Sequence, residues 1–567
     1  MSPGIPQAGI RWAGPRALLI ELASLDSVLA VHAHLVQHPL KGQVDVLAAA
    51  QTVLAVFDSR TSARIARTSI AALDPTPSED TRMSGDPVRI EVVYDGDDLT
   101  DVGNLTGLGT DGVIEAHTGQ LWTAAFGGFA PGFAYLVGEN ESLNVPRRDT
   151  PRTAVPAGSV ALAGNFSAVY PRRSPGGWQL IGRTAARMWD LDRDQPALLR
   201  PGTTVQYVAV REIIDVAHTA EKNDDGARPA AASSPSLEVL SPGPQSLIQD
   251  LGRPGLSDLG VSVSGAADVS STRQANRLVG NEPGDAVIET VLGGLSVKAH
   301  GELTLALAGA PAPAEIRSDT GDRPAPMYAP FALHDGESLH LDVPDAGLRT
   351  YLAVRGGIDV PPVLGSRATD LMSGIGPAPL TQGAVLPIGG VKHNLPHVEL
   401  AGHAANAPAF VACPANSRRV VGNPEPSTLP GELVEPNGNK PVQLRITAGP
   451  RQDWFTPESQ AALPAQDWSV TAESNRIGVR LAVTDGQPFE RARTDELPSE
   501  GVVAGSLQVP PSGLPVLFLA DHPVTGGYPV IGVVVPEDLP IAAQLPPGTT
   551  IRFVEVSPET LQPTAAQ

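Results

Sequence analysis

The residues of this 567-residue chain whose types and spacing best suit ligand chemistry begin in one glycine-rich loop. Gly128–Phe133 reads Gly-Phe-Ala-Pro-Gly-Phe, with Phe129 and Phe133 flanking Pro131 and Gly132. Glycine reaches backbone conformations closed to other residues and proline restricts φ, so this loop could present N–H groups and ring faces to a small ligand. A tight turn whose rings enter the core explains the same pattern, and both interpretations stay open.

Seven arginines follow this loop, in a chain whose formal net charge is −21. They are Arg147, Arg148, Arg152, Arg172, Arg173, Arg183 and Arg187. Guanidinium groups bind carboxylate or phosphate through paired N–H donors, so the cluster indicates an anion site. Pairing with acidic residues elsewhere on the surface is an equal alternative. The same window holds a segment that either approaches a ligand or shapes a hairpin: Ser174, Gly176, Gly177 and Trp178.

Polar residues recur beside glycine-rich segments in the second half of the chain. Asp250 or Asp268 could act as a base or bind a metal, although turns and helix caps use aspartate routinely. The segment Leu519–Pro529 places polar groups just after a predicted strand, and it could equally be a hairpin connection. The further candidates are Gln249, Arg253, Ser264, Asn276, Asn475, Arg476, Gln508, Thr525, Gly526, Gly527 and Tyr528.

Composition excludes several kinds of site and partner. None of the five lysines precedes Ser or Thr, which excludes a P-loop, and none adjoins a methionine, which argues against a biotinyl-lysine arm. The single cysteine, Cys413, excludes internal disulfides and multi-cysteine metal sites. With 61 acidic against 40 basic residues, the chain disfavours nucleic acid as a partner. No apolar run approaches the roughly 18 residues of a membrane span, so we expect a soluble, cytoplasmic protein.

The elements that must position these residues divide at a linker, Glu221–Ser236, rich in Pro, Ala and Ser. Before it, a strand–helix–strand pattern, with the helix over 24–39, predicts a small α/β domain. From Val88 onward, and again after the linker, short apolar runs between Gly/Pro turns are typical of β-rich domains. A helix is predicted at Ser271–Val279, capped by Ser270 or Ser271 and ended by Gly280.

These motifs together resemble two related families. GFAPGFAYL, PRRDTPRTAVPAGSVALAG and SPGGWQLIGRT resemble the allophanate hydrolase subunit 1 family, which includes the B subunit of 5-oxoprolinase and the Kip kinase inhibitor. SLIQDLGRPG, SNRIGVRL, EGVVAGSLQVPP and TGGYPVI resemble the allophanate hydrolase subunit 2 family, also called biotin-dependent carboxyltransferase-like, which includes the C subunit of 5-oxoprolinase. The resemblance covers nearly the whole chain in the same order, as in a fusion of the two subunits.

The resemblance implies a mainly β fold with α+β character. A small α/β domain over 1–84 would precede a cyclophilin-like β-barrel module over 85–218. After a linker over 219–236, two further cyclophilin-like modules would occupy 237–400 and 401–567.

The resemblance also implies an activity. The chain would be the B/C component of an ATP-dependent 5-oxoprolinase that converts 5-oxo-L-proline to L-glutamate with a separate A subunit, using ATP with Mg²⁺ and carrying no biotin itself. His117, Asp250 and Tyr528 would be catalytic. Arg147, Arg148 and Arg152 would bind the substrate carboxylate or the phosphates, and the other candidates would complete the site. Two alternatives remain: a biotin-dependent carboxyltransferase acting on a urea-like amide, and a Kip-like kinase-regulating protein. An oligomer is compatible with each.

Overall fold

The computed structural model describes residues 5–75, 86–212, 235–391 and 441–564. Its N-terminal unit is an antiparallel sheet in the order β1-β2-β4-β3 with two helices on one face. The elements are β1 Ile10–Trp12, β2 Ala17–Glu21, α1 Leu25–Gln37, β3 Gln43–Ala48, β4 Thr52–Phe57 and α2 Arg60–Ala71. Because side chains alternate along a strand, Leu18 and Ile20 pack beneath the helices while Leu19 faces the other way.

The rest of the first half is a seven-stranded sheet in the order β12-β9-β10-β7-β6-β13-β5, with a separate β8–β11 pair. Mutual hydrogen bonds of 2.9 Å between Val93 and Arg183 join its two edges, so the sheet is nearly closed into a barrel. The elements are β5 Val88–Val92, α3 Leu99–Thr106, α4 Gly109–Thr118, β6 Trp122–Gly128, β7 Ala130–Gly138, β8 Arg152–Val155, β9 Ser159–Ala163, β10 Phe166–Val169, β11 Ser174–Gly176, β12 Gln179–Arg183 and β13 Thr204–Ala209.

The second half begins with two sheets that enclose an aliphatic core, in the orders β20-β19-β22-β17-β14-β24 and β15-β16-β23-β18-β21. One helix, α5, packs against β18 and β23. The elements are β14 Ser236–Pro242, β15 Gln245–Gln249, α5 Val269–Val279, β16 Val287–Val291, β17 Leu295–His300, β18 Leu303–Gly309, β19 Ala314–Arg317, β20 Arg323–Pro324, β21 Pro330–Leu333, β22 Ser338–Leu341, β23 Arg349–Val354 and β24 Val385–Pro387.

The last unit is a closed seven-stranded barrel in the order β25-β32-β29-β30-β27-β26-β33. Trp468 and Phe553 are buried in its core. The elements are β25 Val442–Ala448, α6 Pro457–Ala465, β26 Asp467–Val470, β27 Gly478–Asp485, β28 Glu500–Gly501, β29 Ser506–Gln508, β30 Val516–Phe518, β31 Thr525–Gly526, β32 Val530–Val534, α7 Leu539–Ala543 and β33 Thr550–Glu555.

The N-terminal unit is packed onto the second half of the chain. The outer face of its sheet, including Leu19, Leu47 and Leu54, lies against Val524 of the last barrel. His32 Nε2 on α1 lies 2.7 Å from Asp258 Oδ2, which belongs to the first module of the second half. These contacts bring the loops of the two halves together.

The mainly β fold with a small α/β unit and barrel modules is confirmed. Helix α5 ends as predicted, with Gly280 in the left-handed region, but the prediction of Ser270 or Ser271 as its cap was wrong. Asp268 is the cap, because its carboxylate accepts a 3.0 Å hydrogen bond from Ser271 N, one turn into the helix.

Several predictions concern residues outside the described ranges. Cys413, the domain boundaries at 84/85 and 400/401, and most of the proposed linker over 219–236 lie there. Within the described residues, no helix combines the length and apolarity needed to span a membrane.

Candidate functional site

The predicted loop over 128–133 is mostly strand, because β6 ends at Gly128 and β7 begins at Ala130, so the chain reverses at Phe129. This glycine-rich turn contacts the second half of the chain. Phe129, with φ of 63°, donates a 3.1 Å hydrogen bond from its backbone N–H to Thr525 Oγ1. A Cβ at Gly128 would overlap the same hydroxyl, and a Cβ at Gly127 would overlap the carbonyl of Asp258. Glycine therefore allows the two halves to meet backbone against side chain at this point.

The aromatic rings of this turn pack edge to face with one another. Phe133 lies 5.3 Å from Phe129, 5.3 Å from Tyr170 and 5.6 Å from Trp178, measured between ring centroids. Phe129 is half-buried, whereas Phe133 and Trp178 are buried. Most of the rings thus enter the core, as the turn interpretation predicts, and Phe129 lies at the edge of the contact between the halves; a role in ligand binding stays a prediction.

Two of the three arginines nominated for anion binding share one buried carboxylate. Asp98 accepts hydrogen bonds of 2.5 Å from Arg148, 2.8 Å from Arg152 and 2.7 Å from Leu180 N. Burial would raise the pKa of Asp98, but the Arg152 hydrogen bond and the other donors hold it below its ordinary value. The structure therefore gives Arg148 and Arg152 a protein partner of their own.

Arg147 is the arginine of that group that reaches the contact between the halves. Its guanidinium Nε lies 3.3 Å from a carboxylate oxygen of Glu496, and the two side chains are 45% and 69% exposed. An exposed pair of this kind is worth about 0–1 kcal/mol, so an incoming anion can displace Glu496 at little cost.

The segment after Arg173 uses one of its two adjacent glycines for close packing. A Cβ at Gly176 would overlap the Tyr170 hydroxyl, whereas the nearest atom to a Cβ at Gly177 is 3.7 Å away. Burial raises the pKa of Tyr170 to about 12. Ser174 lies beside them and donates a 3.4 Å hydrogen bond to the carbonyl of Arg172.

His117 lies inside the first-half core, within α4, and away from the contact between the halves. Its ring is hydrogen-bonded to Tyr94 at 2.7 Å and to Ser167 at 2.9 Å, and it stacks on Tyr207 at 4.1 Å. Burial lowers the pKa of His117 to about 3. Both ring nitrogens of this buried, neutral imidazole are already hydrogen-bonded within the barrel, so the structure does not favour the predicted proton transfer.

Several second-half candidates organise the loops that bear them. Asp250 accepts hydrogen bonds from Gly252 N at 2.7 Å, Ser366 Oγ at 2.6 Å and Arg367 N at 2.6 Å. These three donors occupy its carboxylate, which argues against a role as catalytic base. Three amide side chains also form hydrogen bonds that organise the loops. Gln249 donates to the carbonyl of Thr369 and Asn276 donates to that of Asp285, whereas Asn475 accepts from the N–H of Ile477.

Arg476 lies in a buried network that joins the two modules of the second half. It donates hydrogen bonds to Glu289 at 2.5 Å, to both oxygens of Asp521 at 3.0 Å, and to Gly265 O at 2.6 Å. Ser264 adds a 2.7 Å hydrogen bond to Asp521. The side chain of Arg476 is 1% exposed, and its hydrogen bonds link the two modules.

The loop after Asp521 completes the contact. Thr525 and Gly526 pair with β28, and Gln508 Nε2 donates a 3.2 Å hydrogen bond to Tyr528 O. Tyr528 is 45% exposed, and the guanidinium of Arg491 lies 5.7 Å from its ring centroid. The carbonyl of Leu497, next to Glu496, lies 3.6 Å from where a Cβ of Gly527 would be.

The structure thus brings four predicted residues, Phe129, Arg147, Thr525 and Gly527, together with Glu496 at one place, which we call the junction. Arg253 lies buried behind it, near the Asp521 that precedes this loop. Sequence reasoning missed Glu496 entirely, since nothing in its local sequence marks it. It also passed over Asp370 and did not single out Arg172 from the arginine cluster. Among the described residues, no group of three or more His, Cys, Asp or Glu side chains is arranged to hold a metal ion.

Comparison with known proteins agrees with this two-part arrangement. Residues 8–199 match the family model of the carboxyltransferase domain, subdomain C and D, and residues 259–555 match that of subdomain A and B. The C subunit of 5-oxoprolinase from Escherichia coli K12 is 35% identical over 333 residues, covering 57% of this chain and 92% of that protein. The B subunit of 5-oxoprolinase from Escherichia coli O157:H7 is 46% identical over 128 residues, covering 22% of this chain and 59% of that protein.

One solved structure matches both halves together. The crystal structure of TTHA0988 superposes with a TM-score of 0.76 at 30% sequence identity, covering 95% of this chain and 99% of that one. The chain therefore belongs to the carboxyltransferase-domain family, with parts similar to the B and C subunits of 5-oxoprolinase joined in a single polypeptide.

Proposed function

We propose that this chain is the B/C component of an ATP-dependent 5-oxoprolinase, which converts 5-oxo-L-proline to L-glutamate together with a separate A subunit. The observation that supports this most directly is the hydrogen bond from Phe129 N to Thr525 Oγ1. It places the glycine-rich turn of the B-like half against the Thr-Gly-Gly-Tyr loop of the C-like half. Motif residues from both halves would therefore serve one site.

Opening the lactam of 5-oxoproline requires binding of an anionic substrate and activation of its amide. The lactam of 5-oxoproline is resonance-stabilised, so we expect ATP to phosphorylate its amide oxygen and create a leaving group. Arg147 is suited to such a charged substrate because it is a half-exposed cation with a weakly held partner, Glu496. Arg147 is the residue of the junction that would contact an anionic group, and ATP would supply the phosphoryl group as a co-substrate.

The test is ATP-dependent release of glutamate from 5-oxoproline by the purified chain with an A subunit supplied, with ADP measured in parallel. Arg147→Gln should lower kcat/KM about tenfold or more, since a charge-assisted hydrogen bond to substrate would be lost. Arg183→Gln is the matched control, because Arg183 is an exposed arginine of the same half that pairs with Asp95 at 2.8 Å. No glutamate above background with a competent A subunit would overturn the proposal.

Biotin-dependent carboxyl transfer to a urea-like amide is the second candidate, favoured by the description of the family models that the chain matches. It requires a biotinylated partner. Carboxyl transfer from carboxybiotin to urea or a small amide, without any 5-oxoproline turnover, would decide for it.

A further inference from the structure

Arg253 is a buried cation with most of its hydrogen-bonding capacity unused. The residue is 2% exposed, and its Nη2 donates to Ala368 O at 2.5 Å. Its Nε and Nη1 have no hydrogen-bond partner among the described residues. A guanidinium carries five N–H donors, and leaving them unpaired away from water is costly, so such an arrangement points to a missing acceptor.

Three carboxylates, Asp370, Asp250 and Asp521, interact electrostatically with Arg253, but each accepts its hydrogen bonds from other donors. Asp250 accepts a hydrogen bond from the N–H of Gly252, and both carboxylate oxygens of Asp521 accept from Arg476. Asp370 accepts from the N–H groups of Met372 and Ser373, both at 2.9 Å. None of them forms an ion pair with Arg253 within the described residues, so its free atoms stay open to a ligand.

A second cation reaches the same loop from the other half of the chain. Arg172 Nη1 lies 4.0 Å from where a Cβ of Gly374 would be, and Arg253 Nη2 lies 3.3 Å from that of Gly376. The Nε of Arg172 is also buried, and no described residue accepts a hydrogen bond from it. Burial lowers the pKa of both arginines, and the charge of Asp370 opposes this in each.

The charges around this point favour a ligand with one negative charge. The buried and half-buried groups around it include four cations, Arg172, Arg253, Arg349 and Arg476, and five carboxylates, Asp250, Asp268, Glu289, Asp370 and Asp521. Burial, reinforced by Asp521, raises the pKa of Asp370, and the positive charge of Arg253 opposes that rise. Because carboxylates outnumber cations here, a monoanion adds less uncompensated buried charge than a phosphate dianion would.

We propose that Arg253 and Arg172 together bind the carboxylate of the substrate, in a pocket that neither half contains alone. This rests on the proposed function, in which 5-oxoproline is the substrate and carries one carboxylate. It assigns carboxylate recognition to Arg253 and Arg172 in place of Arg148 and Arg152. It also gives the fusion a chemical consequence, because the first half supplies one cation and the second half supplies the other.

The test combines calorimetric binding by the intact chain with turnover in the presence of the A subunit. Arg172→Gln should weaken 5-oxoproline binding about tenfold or more and raise KM similarly, because a charged hydrogen bond is lost. Arg173→Gln is the matched control, since Arg173 is the exposed neighbour with the same charge, and it should stay within about twofold. Arg253→Lys, which keeps the buried charge but loses the planar fork, should also weaken binding.

Two probes separate the carboxylate from the rest of the ligand. 2-Pyrrolidinone has the same lactam ring without the carboxylate, so its binding should be equal in the wild type and in Arg172→Gln. Equal weakening for 2-pyrrolidinone and 5-oxoproline would overturn the proposal. Inorganic phosphate that competes in the wild type and not in Arg172→Gln, with 5-oxoproline unaffected by the substitution, would also overturn it.

Failure of this inference is distinguishable from failure of the proposed function. Glutamate release with an unchanged KM in Arg172→Gln would refute carboxylate binding by Arg172 while the 5-oxoprolinase activity stood. Arg172-dependent binding of 5-oxoproline without any turnover beside a competent A subunit would support the pocket and refute the activity.

Discussion

Replacing Arg476 with methionine tests whether this arginine holds the fold or binds substrate. The guanidinium is 1% exposed and neutralises Glu289 and Asp521, both with fully buried side chains. Removing one partner of a buried ionic network leaves uncompensated charge, which costs about 3–5 kcal/mol. Arg476→Met should therefore lower the free energy of unfolding by about that amount, measured by urea denaturation at pH 7.

The pH dependence of the same variant has a definite sign. Burial alone would raise the pKa of Glu289, but Arg476 and Arg349 hold it below its ordinary value. In the wild type, the stability contributed by Glu289 is therefore present above its unfolded pKa, about 4.5, and lost only in stronger acid. Without Arg476, burial dominates and raises that pKa, so ionised Glu289 destabilises the fold increasingly as pH rises. The stability gap between Arg476→Met and the wild type should widen from pH 5 to pH 7.

Two comparisons isolate the network. Arg480→Met removes an exposed arginine of the same region, 3.9 Å from Glu473, and should change stability by about 0–1 kcal/mol. The double variant Arg476→Met with Glu289→Gln should lose less stability than the two single variants lose in total, because both substitutions remove the same interaction. A loss below about 1 kcal/mol for Arg476→Met, together with a raised KM, would refute this account and return Arg476 to substrate binding.

Three further outcomes are expected. Arg152→Gln should lower the free energy of unfolding by about 1–3 kcal/mol, because the buried carboxylate of Asp98 loses a donor. The KM for 5-oxoproline should be unchanged, and a raised KM at full stability would contradict this. Gly128→Ala should reduce activity severely because its methyl group overlaps the Thr525 hydroxyl, whereas Gly177→Ala, with 3.7 Å to its nearest neighbour, should retain activity. The folded-state pKa of His117, about 3, lies below its unfolded value near 6.5, so wild-type stability should fall by up to about 1.4 kcal/mol per unit as pH drops below 6.5. His117→Gln should lack that component in urea titrations at pH 7 and pH 5, and an unchanged slope would contradict the buried, neutral assignment.

The sequence by itself determined the local elements and the family. Helix α1 within 24–39 and Gly280 at the end of α5 follow from interactions within a few residues, which spacing reveals. Where a cap was predicted wrongly, Asp268 in place of Ser270 or Ser271, the competing side chains were three residues apart or fewer. The domain boundaries stay predictions.

Only the tertiary structure decided which polar side chains were already occupied. Arg152 meets Asp98 across 54 residues and Ser264 meets Asp521 across 257, so no local pattern could pair them. The donors of an arginine are the same in every sequence. In the structure, buried carboxylates accept from Arg476, whereas Nε and Nη1 of Arg253 have no partner among the described residues. Folding brings distant charges into a poorly polarisable interior where each must find a partner, and that pairing separates the arginines that hold the fold from those free to bind a ligand.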